Sequence, residues 1–539
     1  MIKRLYLLFF TLIACLALSL NFSVFAKDIT EQLVIIGTTD VHGNLHSIDY
    51  FTNKPQSNSL VKIYTKVKEI RSKYKNTLLL DAGDLIVGTP LANYYALVKP
   101  EKENPLITVY NTMGYDAFNL GNHEFGYTLE YLDKVKKEAK YPLLSANIYI
   151  HNTDKPAFKP YIIKNVNGIK VGIIGFIVPE TNVWRKVILE NKMDIRDAIE
   201  SAKIWMPKLE NEKPDVIVCL SHLDREDAYK LANLYPQIDV IITGHTHEEL
   251  EKMLVNGVLI TQPYKYAKRL AVVTLDLKKV NKAWKVTEKD SKLINIETSN
   301  IKDDEGLVES LKQELEETIK YVDRPIGTST DVWCPKDARL KDTPIVDLIN
   351  KVQLEVTGAD LSTSPLFEGV RGLKKGEITR ADILNLYKYE NTLVAIKISG
   401  KQLKEYLEHS AKYFNTSPNP DIINKKVAPY DYDMISGVDY KIDVSKAVGQ
   451  RIIDLTFKGK PVTDDMTFSL ALNNFRQKGG GYYNMIENAP VVYDRNENVR
   501  DLIIKYIEDK KIISPKDVFV KNWEIIHQDT PVSQAISKN

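Results

Sequence analysis

Cysteine is scarce in this chain, which has three in 539 residues. Cys15 lies in an N-terminal apolar stretch, and Cys219 and Cys334 fall in regions that we assign to different domains. Such spacing excludes a disulfide-stabilised scaffold and the closely spaced cysteines that hold zinc or iron–sulfur clusters. We therefore predict two free thiols after position 15 and no chemistry that depends on cysteine.

The chain also has almost no net charge. Lysine and arginine number 73 against 71 acidic residues, and removal of a leader that holds two basic and no acidic residues would lower the formal charge from +2 to zero. Binding to polymeric nucleic acid requires a basic surface, so we expect no such partner. Short repeats and low-complexity tracts are absent too, which excludes solenoids and long disordered arms.

Only one apolar run is long, and it stands near the N-terminus. Two basic residues precede it, it extends to Phe25, and Val24 and Ala26 provide a small-residue cleavage site. This pattern predicts a secretory signal peptide over 1–26, cleaved near Ala26, and an extracytoplasmic location in periplasm, cell wall or medium. No other stretch is long and apolar enough to span a bilayer, so we expect no membrane span in the mature chain.

Two other interpretations of this segment are open. The letters LIAC at 12–15 resemble a lipoprotein box, which would attach lipid to Cys15. The apolar run continues beyond Cys15, however, whereas a mature lipoprotein usually begins with polar residues. An uncleaved membrane anchor is the third and weakest interpretation.

From residue 33 onward, short apolar runs alternate with amphipathic stretches. Seven runs read as buried strands that end in polar loops: LVIIGTTD, NTLLLDAGD, YDAFNLGN, YPLLSAN, KVGIIGF, DVIVCLSH and DVIITGHT. Helical spacing of apolar residues marks SLVKIYTKVKEIRSKY and TLEYLDKVKKEAK between them. This alternation predicts an α/β domain with largely buried strands.

The pattern changes near residue 300. The segment 302–322 is a charged amphipathic helix with few apolar anchors, which is typical of a connector between domains. A second region follows with its own strands, NTLVAIKISG and RIIDLTFKG, and a helix in GKQLKEYLEHSAKYF. We predict a first domain over 27–300, a linker helix over 301–324 and a second domain over 325–539.

Residue types that bind metals follow five of the predicted strands in the first domain. They form the patterns D-x-H, G-D, G-N-H, S-H and G-H-x-H, with the residues Asp40, His42, Asp84, Asn122, His123, His222, His245 and His247. Loops beyond the carboxyl ends of strands are where α/β sheets build their sites. Any one of these residues alone would most often be an ordinary loop residue, but five such signals together are hard to explain by chance.

Two pairs in this set, Asp40 with His42 and His245 with His247, are spaced two residues apart. On extended backbone such residues point to the same side, so each pair could bind one ion. Glycine precedes four of the five blocks, and we expect tight turns at these positions: Gly37, Gly83, Gly121 and Gly244.

Aspartate, asparagine and histidine supply oxygen and nitrogen ligands but no thiolate. This donor set suits Mn²⁺, Zn²⁺, Co²⁺ or Fe²⁺ better than Cu⁺ or iron–sulfur clusters. Seven ligands are too many for one tetrahedral ion and enough for two ions that share a carboxylate. Two such ions can clamp both oxygens of a phosphoryl transfer, so we predict two divalent metal ions as cofactors.

The blocks TTDVHGN, DAGD, GNHEF, SH and TGHTH resemble the calcineurin-like metallophosphoesterase superfamily, and the resemblance implies a four-layer α/β/β/α sandwich. The implied ligands are Asp40, His42 and His247 for one ion, Asn122, His222 and His245 for the other, and Asp84 as the bridge. His123 is left without a metal, as the catalytic residue that stabilises the transferring phosphoryl group or protonates its leaving oxygen.

One position departs from a branch of this superfamily. In 5′-nucleotidases an aspartate commonly stands at the position of Gly126 and orients the histidine that corresponds to His123. Glycine cannot do so, which argues against a 5′-nucleotidase and leaves the partner of His123 unidentified. Glu124 has no role by resemblance, and we interpret it as structural.

The second domain resembles the C-terminal domain of the secreted 5′-nucleotidase family, which implies an α+β nucleotide-binding domain. The resemblance rests on the segments 380–415, 430–446 and 470–485. That family holds the base between two aromatic rings, and the matching motifs assign Tyr389 and Tyr483, with Tyr482 as a close rival of Tyr483. Stacking is worth roughly 1–3 kcal/mol per base.

Within that family the closer resemblance is to 2′,3′-cyclic-nucleotide 2′-phosphodiesterase/3′-nucleotidases. It rests on GDLIVGTPLANYYA, DTPIVDLINKVQ, KYENTL and YDMISGVDYKIDV, and STSPLFEGVRGL replaces the Asn-Gly-Gly-Gly-Ile-Arg stretch of 5′-nucleotidases. The implied substrates are 2′,3′-cyclic nucleotides, opened to 3′-nucleotides by loss of the 2′ oxygen, and then these 3′-nucleotides, hydrolysed to nucleoside and phosphate.

Three other functions stay open. The nearest is a 5′-nucleotidase or nucleotide-sugar hydrolase, which relative rates on 3′-AMP and 5′-AMP would distinguish. A non-catalytic surface protein that binds nucleotide is another, although a decayed site usually loses ligands and none of the seven is missing. A general protein phosphatase would lack a base-binding domain. The sequence favours no particular oligomeric state.

Overall fold

The computed structural model describes residues 29–389, 391–416, 421–528 and 530–532. The predicted signal peptide and Cys15 lie outside these residues. Among the helices of the described ranges, none combines the length and the apolar character that crossing a membrane would require. Cys219 is buried, Cys334 is exposed, and both are free thiols, as predicted.

Two six-stranded sheets form the centre of the first domain. In spatial order the first sheet contains Ala283–Asn295, Arg269–Val280, Thr30–Thr38, Thr77–Asp81, Ala117–Asn119 and Leu143–Leu144. The second contains Glu249–Val255, Val258–Pro263, Val240–Thr243, Val216–His222, Ile169–Ile177 and Tyr161–Val166. Each sheet combines neighbouring parallel strands with antiparallel strands toward its edges.

The two sheets pack face to face through apolar side chains. Leu33 and Ile35 of the first strand join Val171, Ile173 and Val218 of the second sheet in one buried cluster. Successive side chains of a strand point to opposite faces, so strands this apolar must be covered on both sides. Helices supply the outer cover, which makes this domain the predicted four-layer α/β/β/α sandwich.

Local signals explain where several helices begin. Ser59 caps the helix that follows it by accepting the N–H of Lys62, and Asp197 caps another by accepting the N–H of Glu200. The α-helices of the described residues are Leu60–Lys73, Pro90–Asn93, Pro105–Met113, Leu129–Glu138, Thr181–Trp184, Lys186–Leu189, Ala198–Asn211, Arg225–Leu234, Glu305–Ser310, Lys312–Val322, Pro344–Thr357, Arg380–Leu386, Gly400–Ser410, Asn474–Gln477, Val499–Lys510 and Pro515–Val518.

All seven runs predicted as strands in the first domain contain strands, and both predicted helices are present. A long antiparallel pair that was not predicted is formed by Arg269–Val280 and Ala283–Asn295. This pair extends the first sheet beyond Thr30–Thr38. Its alternating polar residues face solvent on one side, which makes its pattern weaker than that of a strand buried on both faces.

The second domain is α+β, as predicted. One five-stranded sheet contains, in spatial order, Asp433–Ser436, Leu361–Pro365, Thr467–Asn473, Thr392–Ser399 and Val491–Asn498. Another contains Lys460–Pro461, Ile452–Phe457, Asp439–Asp443, Trp523–His527 and Thr530–Pro531, and a three-stranded sheet contains Gly376–Thr379, Pro325–Ser329 and Ile512–Ile513. Two-stranded sheets within the described residues, both in the first domain, are Ile48–Asp49 with Lys54–Pro55 and Ile148–Ile150 with Met193–Ile195.

The segment between the domains forms two helices that are docked on both. Leu307 and Leu311 are buried in the core of the first domain. Val322 packs against Ala381 and Leu384 of the second domain. The segment therefore has more apolar anchors than its charged sequence indicated. The limits of the domains at 300 and 324 remain a prediction.

Candidate metal centre and nucleotide site

Both sheets contribute to one cluster of the predicted ligands. Asp40, Asp84 and Asn122 follow strands of the first sheet, and His222, His245 and His247 end or follow strands of the second. Three groups of side chains have ligand atoms within 4.8 Å of one another: Asp40, His42 and His247; His42, Asp84 and His123; and Asp40, Asp84 and His222. Residues up to 207 positions apart in the sequence thus share one buried site.

The group Asp40, His42 and His247 is tightly packed. His247 Nε2 lies 3.3 Å from Asp40 Oδ1 and 3.1 Å from His42 Nε2. The other nitrogen of His42, Nδ1, lies 3.0 Å from the carbonyl oxygen of Val87, which can only accept a hydrogen. The proton of His42 therefore belongs on Nδ1, and Nε2 keeps a lone pair for the cluster, which is the usual arrangement of a metal-binding histidine.

Asp84 reaches both halves of the cluster. Its Oδ2 lies 3.1 Å from His222 Nε2 and 3.8 Å from His42 Nε2. Burial raises the pKa of Asp84, but the neighbouring imidazoles of His222 and His123 outweigh this effect and hold that pKa well below the ordinary value. A carboxylate that stays ionised between two sets of histidines suits a bridging ligand.

His222 presents its Nε2 to this cluster. Its Nδ1 donates to the carbonyl of Ala82 at 2.9 Å, and its buried Nε2 lies 3.1 Å from Asp84 Oδ2 without the geometry of a hydrogen bond. A histidine that carries its hydrogen on Nδ1 keeps a lone pair on Nε2 for a metal ion. His222 and Asp84 could therefore bind the same ion.

His245 and Asn122 lie together at the side of the cluster. His245 Nδ1 is 3.1 Å from Asn122 Oδ1, and the rings of His222 and His245 are 5.2 Å apart. His245 Nε2 is 3.7 Å from Asp224 Oδ1, a carboxylate that the sequence analysis did not consider. All seven predicted ligands therefore fall in one neighbourhood.

The residues present fit divalent metal ions. Asp40 is 0% and Asp84 2% exposed, and buried carboxylates require compensating positive charge. Neutral imidazoles and an amide oxygen complete a donor set of the kind that Mn²⁺, Zn²⁺, Co²⁺ or Fe²⁺ accept.

Backbone strain is concentrated at these ligands. Positive φ angles between 47° and 71° occur at five of the seven: Asp40, His42, Asp84, His245 and His247. Each left-handed residue other than glycine costs roughly 1–3 kcal/mol, and such strain clusters at functional sites. The expectation that the two spaced pairs lie on extended backbone was therefore wrong, since left-handed turns direct these side chains.

The glycines before the ligands serve a different purpose from the one predicted. Of the four, only Gly83 has positive φ. A Cβ atom on Gly121 would lie 2.2 Å from Asp84 Oδ1, and one on Gly244 would lie 2.1 Å from Thr39 Oγ1. These two positions need glycine because neighbouring loops approach too closely for a side chain, and the ligands themselves make the turns.

His123 lies beside the cluster, as its predicted role requires. Its ring centroid is 4.9 Å from that of His42, and its backbone N–H donates to Asp84 Oδ1 at 2.8 Å. Burial, together with the charge of Arg185 and His42, holds the pKa of His123 well below its ordinary value. Arg185 Nη2 is 3.4 Å from His123 Nδ1, a contact that no sequence motif indicated.

The two tyrosines proposed for base stacking differ in their exposure to solvent. Tyr389 is 46% exposed, whereas Tyr483 is fully buried. The hydroxyl of Tyr483 donates to the carbonyl of Asp431 at 2.8 Å, and its ring packs 4.0 Å from the guanidinium of Arg476. A ring with no exposed face cannot receive a base, so Tyr483 does not have the predicted role in this structure. Tyr482, its rival, is 81% exposed.

Tyr389 and Tyr482 are both exposed, and each has Tyr430, which is 43% exposed, as a neighbour. Tyr389 packs edge-on against Phe367, with centroids 4.9 Å apart. Across the domain boundary, burial and the nearby hydroxyl of Tyr389 raise the pKa of Tyr266. The ring of Tyr266 is 5.6 Å from that of His42, so Tyr266 has both the metal cluster and Tyr389 as neighbours.

A cavity of about 610 Å³ lies between the two domains. Gly126, Tyr127 and Arg185 line it from the first domain, and Gln477 and Lys478 line it from the second. Its volume is in the range of small-molecule sites. Because Arg185 also contacts His123, the cavity extends to the neighbourhood of the cluster.

Comparison with known proteins agrees with this architecture. Residues 33–249 match the model of the calcineurin-like phosphoesterase family, and residues 325–488 match that of the 5′-nucleotidase C-terminal domain. Among solved structures, a Staphylococcus aureus protein in complex with α-ketoglutarate superposes with a TM-score of 0.80 at 25% identity, covering 92% of this chain and all of that one. The calcineurin-like phosphoesterase YfkN of Bacillus subtilis covers 55% of this chain, and all of that one, at 31% identity and a TM-score of 0.53.

Sequence relatives extend over nearly the whole chain. Identity is 31% to the 2′,3′-cyclic-nucleotide 2′-phosphodiesterase/3′-nucleotidase of Haemophilus influenzae, over 98% of this chain and 92% of that protein. It is also 31% to the protein of the same name from Salmonella typhimurium, over 93% and 90%. The match to the trifunctional nucleotide phosphoesterase YfkN of Bacillus subtilis, at 29% identity, spans 92% of this chain but 39% of that longer protein. The chain therefore belongs to the family of metal-dependent phosphoester hydrolases that joins a calcineurin-like phosphoesterase domain to a 5′-nucleotidase C-terminal domain.

Proposed function

We propose that the protein hydrolyses 2′,3′-cyclic nucleotides to 3′-nucleotides and then hydrolyses these to nucleoside and phosphate. The observation that carries this proposal is the convergence of seven ligand-type side chains beside His123. The names of the relatives from Haemophilus influenzae and Salmonella typhimurium support the choice of substrate.

Two divalent ions of Mn, Zn, Co or Fe are part of this proposal. The ligands we assign are Asp40, His42 and His247 for one ion, Asn122, His222 and His245 for the other, and Asp84 for both. When bound, the ions would lower the pKa of the attacking water and offset the negative charge that develops on the phosphoryl oxygens.

The residues of the chain have separate tasks in this reaction. Tyr389 and Tyr482 hold the base and so keep the ribose and its phosphate in place through both hydrolyses. His123 directs its ring toward the phosphoryl group or the leaving oxygen. In the first step the 2′ oxygen leaves phosphorus but stays on the ribose, and in the second the 3′ oxygen leaves with the nucleoside.

A 5′-nucleotidase is the nearest alternative, and the surroundings of Gly126 disfavour it. A Cβ atom at this position would lie 2.7 Å from Val87 Cγ2 and 3.0 Å from the carbonyl oxygen of His123. An aspartate that orients His123 from here would therefore need a shift of the loop. The observation supports the cyclic-nucleotide branch.

Secretion and the domain limits complete the proposal. The N-terminal sequence supports a cleaved signal peptide over 1–26 and a location outside the cytoplasm. The domain limits that we propose are 27–300 for catalysis, 301–324 for the linker and 325–539 for nucleoside binding.

Phosphate release from 2′,3′-cyclic AMP, 3′-AMP and 5′-AMP, measured in parallel with Mn²⁺ and after chelation, tests the function. We expect chelator-sensitive turnover of the first two, with 3′-AMP as the intermediate on chromatography and slow turnover of 5′-AMP. His123→Gln should lower turnover about 100-fold. His151→Asn is a matched control, because His151 pairs with Asp194 at 2.7 Å in a different part of the domain.

Two results would contradict the proposal. Faster hydrolysis of 5′-AMP than of 3′-AMP would assign the protein to the 5′-nucleotidase branch. Absence of turnover on all three nucleotides, in protein that binds Mn²⁺, would show that the substrate belongs to another class of phosphoester.

A further inference from the structure

Arg185 occupies a place that connects the inter-domain cavity to His123. It lies between the short helices Thr181–Trp184 and Lys186–Leu189 and lines the cavity. Its Nη2 is 3.4 Å from His123 Nδ1, and its Nε donates to the backbone carbonyl of Asn122 at 3.4 Å. One guanidinium thus contacts both the ring of His123 and the backbone of the residue before it.

These contacts determine which nitrogen of His123 carries the proton. A guanidinium has hydrogen-bond donors only and is always charged, so Nδ1 of His123 must accept. A ring hydrogen that is not on Nδ1 is then on Nε2. The backbone of His123 is fixed as well, because its N–H donates to Asp84 Oδ1 at 2.8 Å.

We propose that Arg185 is the positioning residue of His123, a role that rests on the proposed hydrolysis and refines its mechanism. It fixes the orientation of the ring and keeps the hydrogen on Nε2. The Nε2–H group then donates a hydrogen bond to the charge that develops on the phosphoryl or leaving oxygen. The leaving oxygen takes its proton from solvent.

An acidic partner would produce the opposite arrangement. A carboxylate accepts only, so it would draw the proton onto Nδ1, and Nε2 could donate only after the ring gained a second proton. The position from which such a carboxylate would act is Gly126, where a Cβ atom would lie 2.7 Å from Val87 Cγ2. Gly126 has little room for a carboxylate, and Arg185 contacts the ring of His123. Both observations favour the form of His123 with its hydrogen on Nε2.

The tautomer of His123 is a direct test that needs no substrate. Ring-¹⁵N-labelled histidine in the full, chelated protein would be observed by NMR, with His123→Gln used to assign the signal. We expect the Nε2–H form in the wild type and its loss in Arg185→Ala. Arg196→Ala is the matched control, because Arg196 pairs with Asp154 at 2.9 Å away from the cluster, and it should leave the signal unchanged.

Kinetics provide the second readout. For 3′-AMP we expect Arg185→Ala to lower kcat about 10- to 100-fold, as loss of an orienting partner does, with KM within about twofold. The loss should be smaller for p-nitrophenyl phosphate, whose leaving oxygen needs less stabilisation. Arg185→Lys, which keeps a donor at this place, should recover part of the loss, and urea denaturation would verify that each variant is folded.

An unchanged tautomer combined with a raised KM would overturn the inference, since Arg185 would then bind the substrate phosphate and not orient His123. An equal loss of kcat for both leaving groups would also overturn it. The tautomer result is independent of the reaction. If it appears as expected while no nucleotide is hydrolysed, the proposed function fails and the positioning role of Arg185 stands.

Discussion

The carboxylate of Glu124 accepts the backbone N–H of Asp84 at 2.9 Å. It also accepts the N–H groups of Leu85 and Gly121, each at 2.8 Å. One buried side chain therefore joins the loop of the candidate bridging ligand to the loop that carries Asn122 and His123. The structural role that the sequence suggested for Glu124 is the alignment of these two loops.

Glu124→Gln should loosen this alignment. An amide has one acceptor oxygen, and its NH₂ group would face backbone donors that the carboxylate now satisfies. We expect the free energy of unfolding to fall by about 2 kcal/mol in urea denaturation and metal affinity to fall with it. Glu101→Gln, at an exposed position, should change stability by less than about 0.5 kcal/mol. Equal stability of the two variants would contradict this role.

The left-handed backbone at His247 predicts an unusual order of stabilities. Its φ is 54°, which costs a residue with a Cβ roughly 1–2 kcal/mol but costs glycine little. In the chelated protein, His247→Gly should therefore be more stable than His247→Ala by about 1 kcal/mol, the reverse of the order in a helix. Thermal denaturation of both variants measures this difference. A less stable glycine variant would show that φ is not strained at this position.

Measurements of metal binding should distinguish the metal ligands from His123. Addition of Mn²⁺ or Zn²⁺ to chelated wild-type protein should raise its stability, by about 2.7 kcal/mol at a hundredfold excess over Kd. His123→Gln should keep this increase and lose activity, whereas Asp84→Asn should lose both. Thermal denaturation with and without the metal measures the effect. If metal no longer raised the stability of His123→Gln, His123 would be identified as a metal ligand. Its position near His42 and Asp84 is compatible with that role.

Base binding should depend on Tyr389 and Tyr482. Alanine at either position removes a stacking surface worth roughly 1–3 kcal/mol, so KM for 3′-AMP should rise about 5- to 150-fold. Hydrolysis of p-nitrophenyl phosphate, which has no base, should be unaffected. Tyr74→Ala, at an exposed tyrosine of the first domain, is the matched control. If KM is unchanged in both variants, the base is held elsewhere.

Asp347 in the second domain should make the stability of the protein depend on pH. Burial and the negative charge of Asp342 raise the pKa of Asp347 to about 7. The folded state then binds more protons than the unfolded state between about pH 4 and 7, so stability falls as pH rises through this window.

Asp347→Asn removes this titration and keeps an acceptor for the N–H of Val520, which Asp347 Oδ2 now accepts at 3.1 Å. We expect the variant to be more stable than the wild type by about 4 kcal/mol at pH 8 and no more stable at pH 4. Urea denaturation across this range measures the difference. Parallel pH profiles of variant and wild type would mean that Asp347 is ionised in the folded state.

The sequence alone determined the strands, the order of the motifs and the residue types of the candidate site. Strand periodicity is a local property, and the runs that end before Asp40, Asp84 and Asn122 were each apolar enough to identify a strand buried on both faces. Once parallel strands are placed side by side, their carboxyl ends meet at one edge. Convergence of the ligands followed from these local facts and the resemblance to the phosphoesterase motifs.

Only the tertiary structure decided how each residue is used. Neighbouring tyrosines have the same chemistry, but packing against Arg476 buries Tyr483 and leaves Tyr482 in solvent. Left-handed turns at Asp40 and His42, and the contact of Arg185 with His123 across 62 residues, have no signature in composition or spacing. Burial, backbone strain and long-range contacts are properties of the packed chain, because each depends on which distant segments meet.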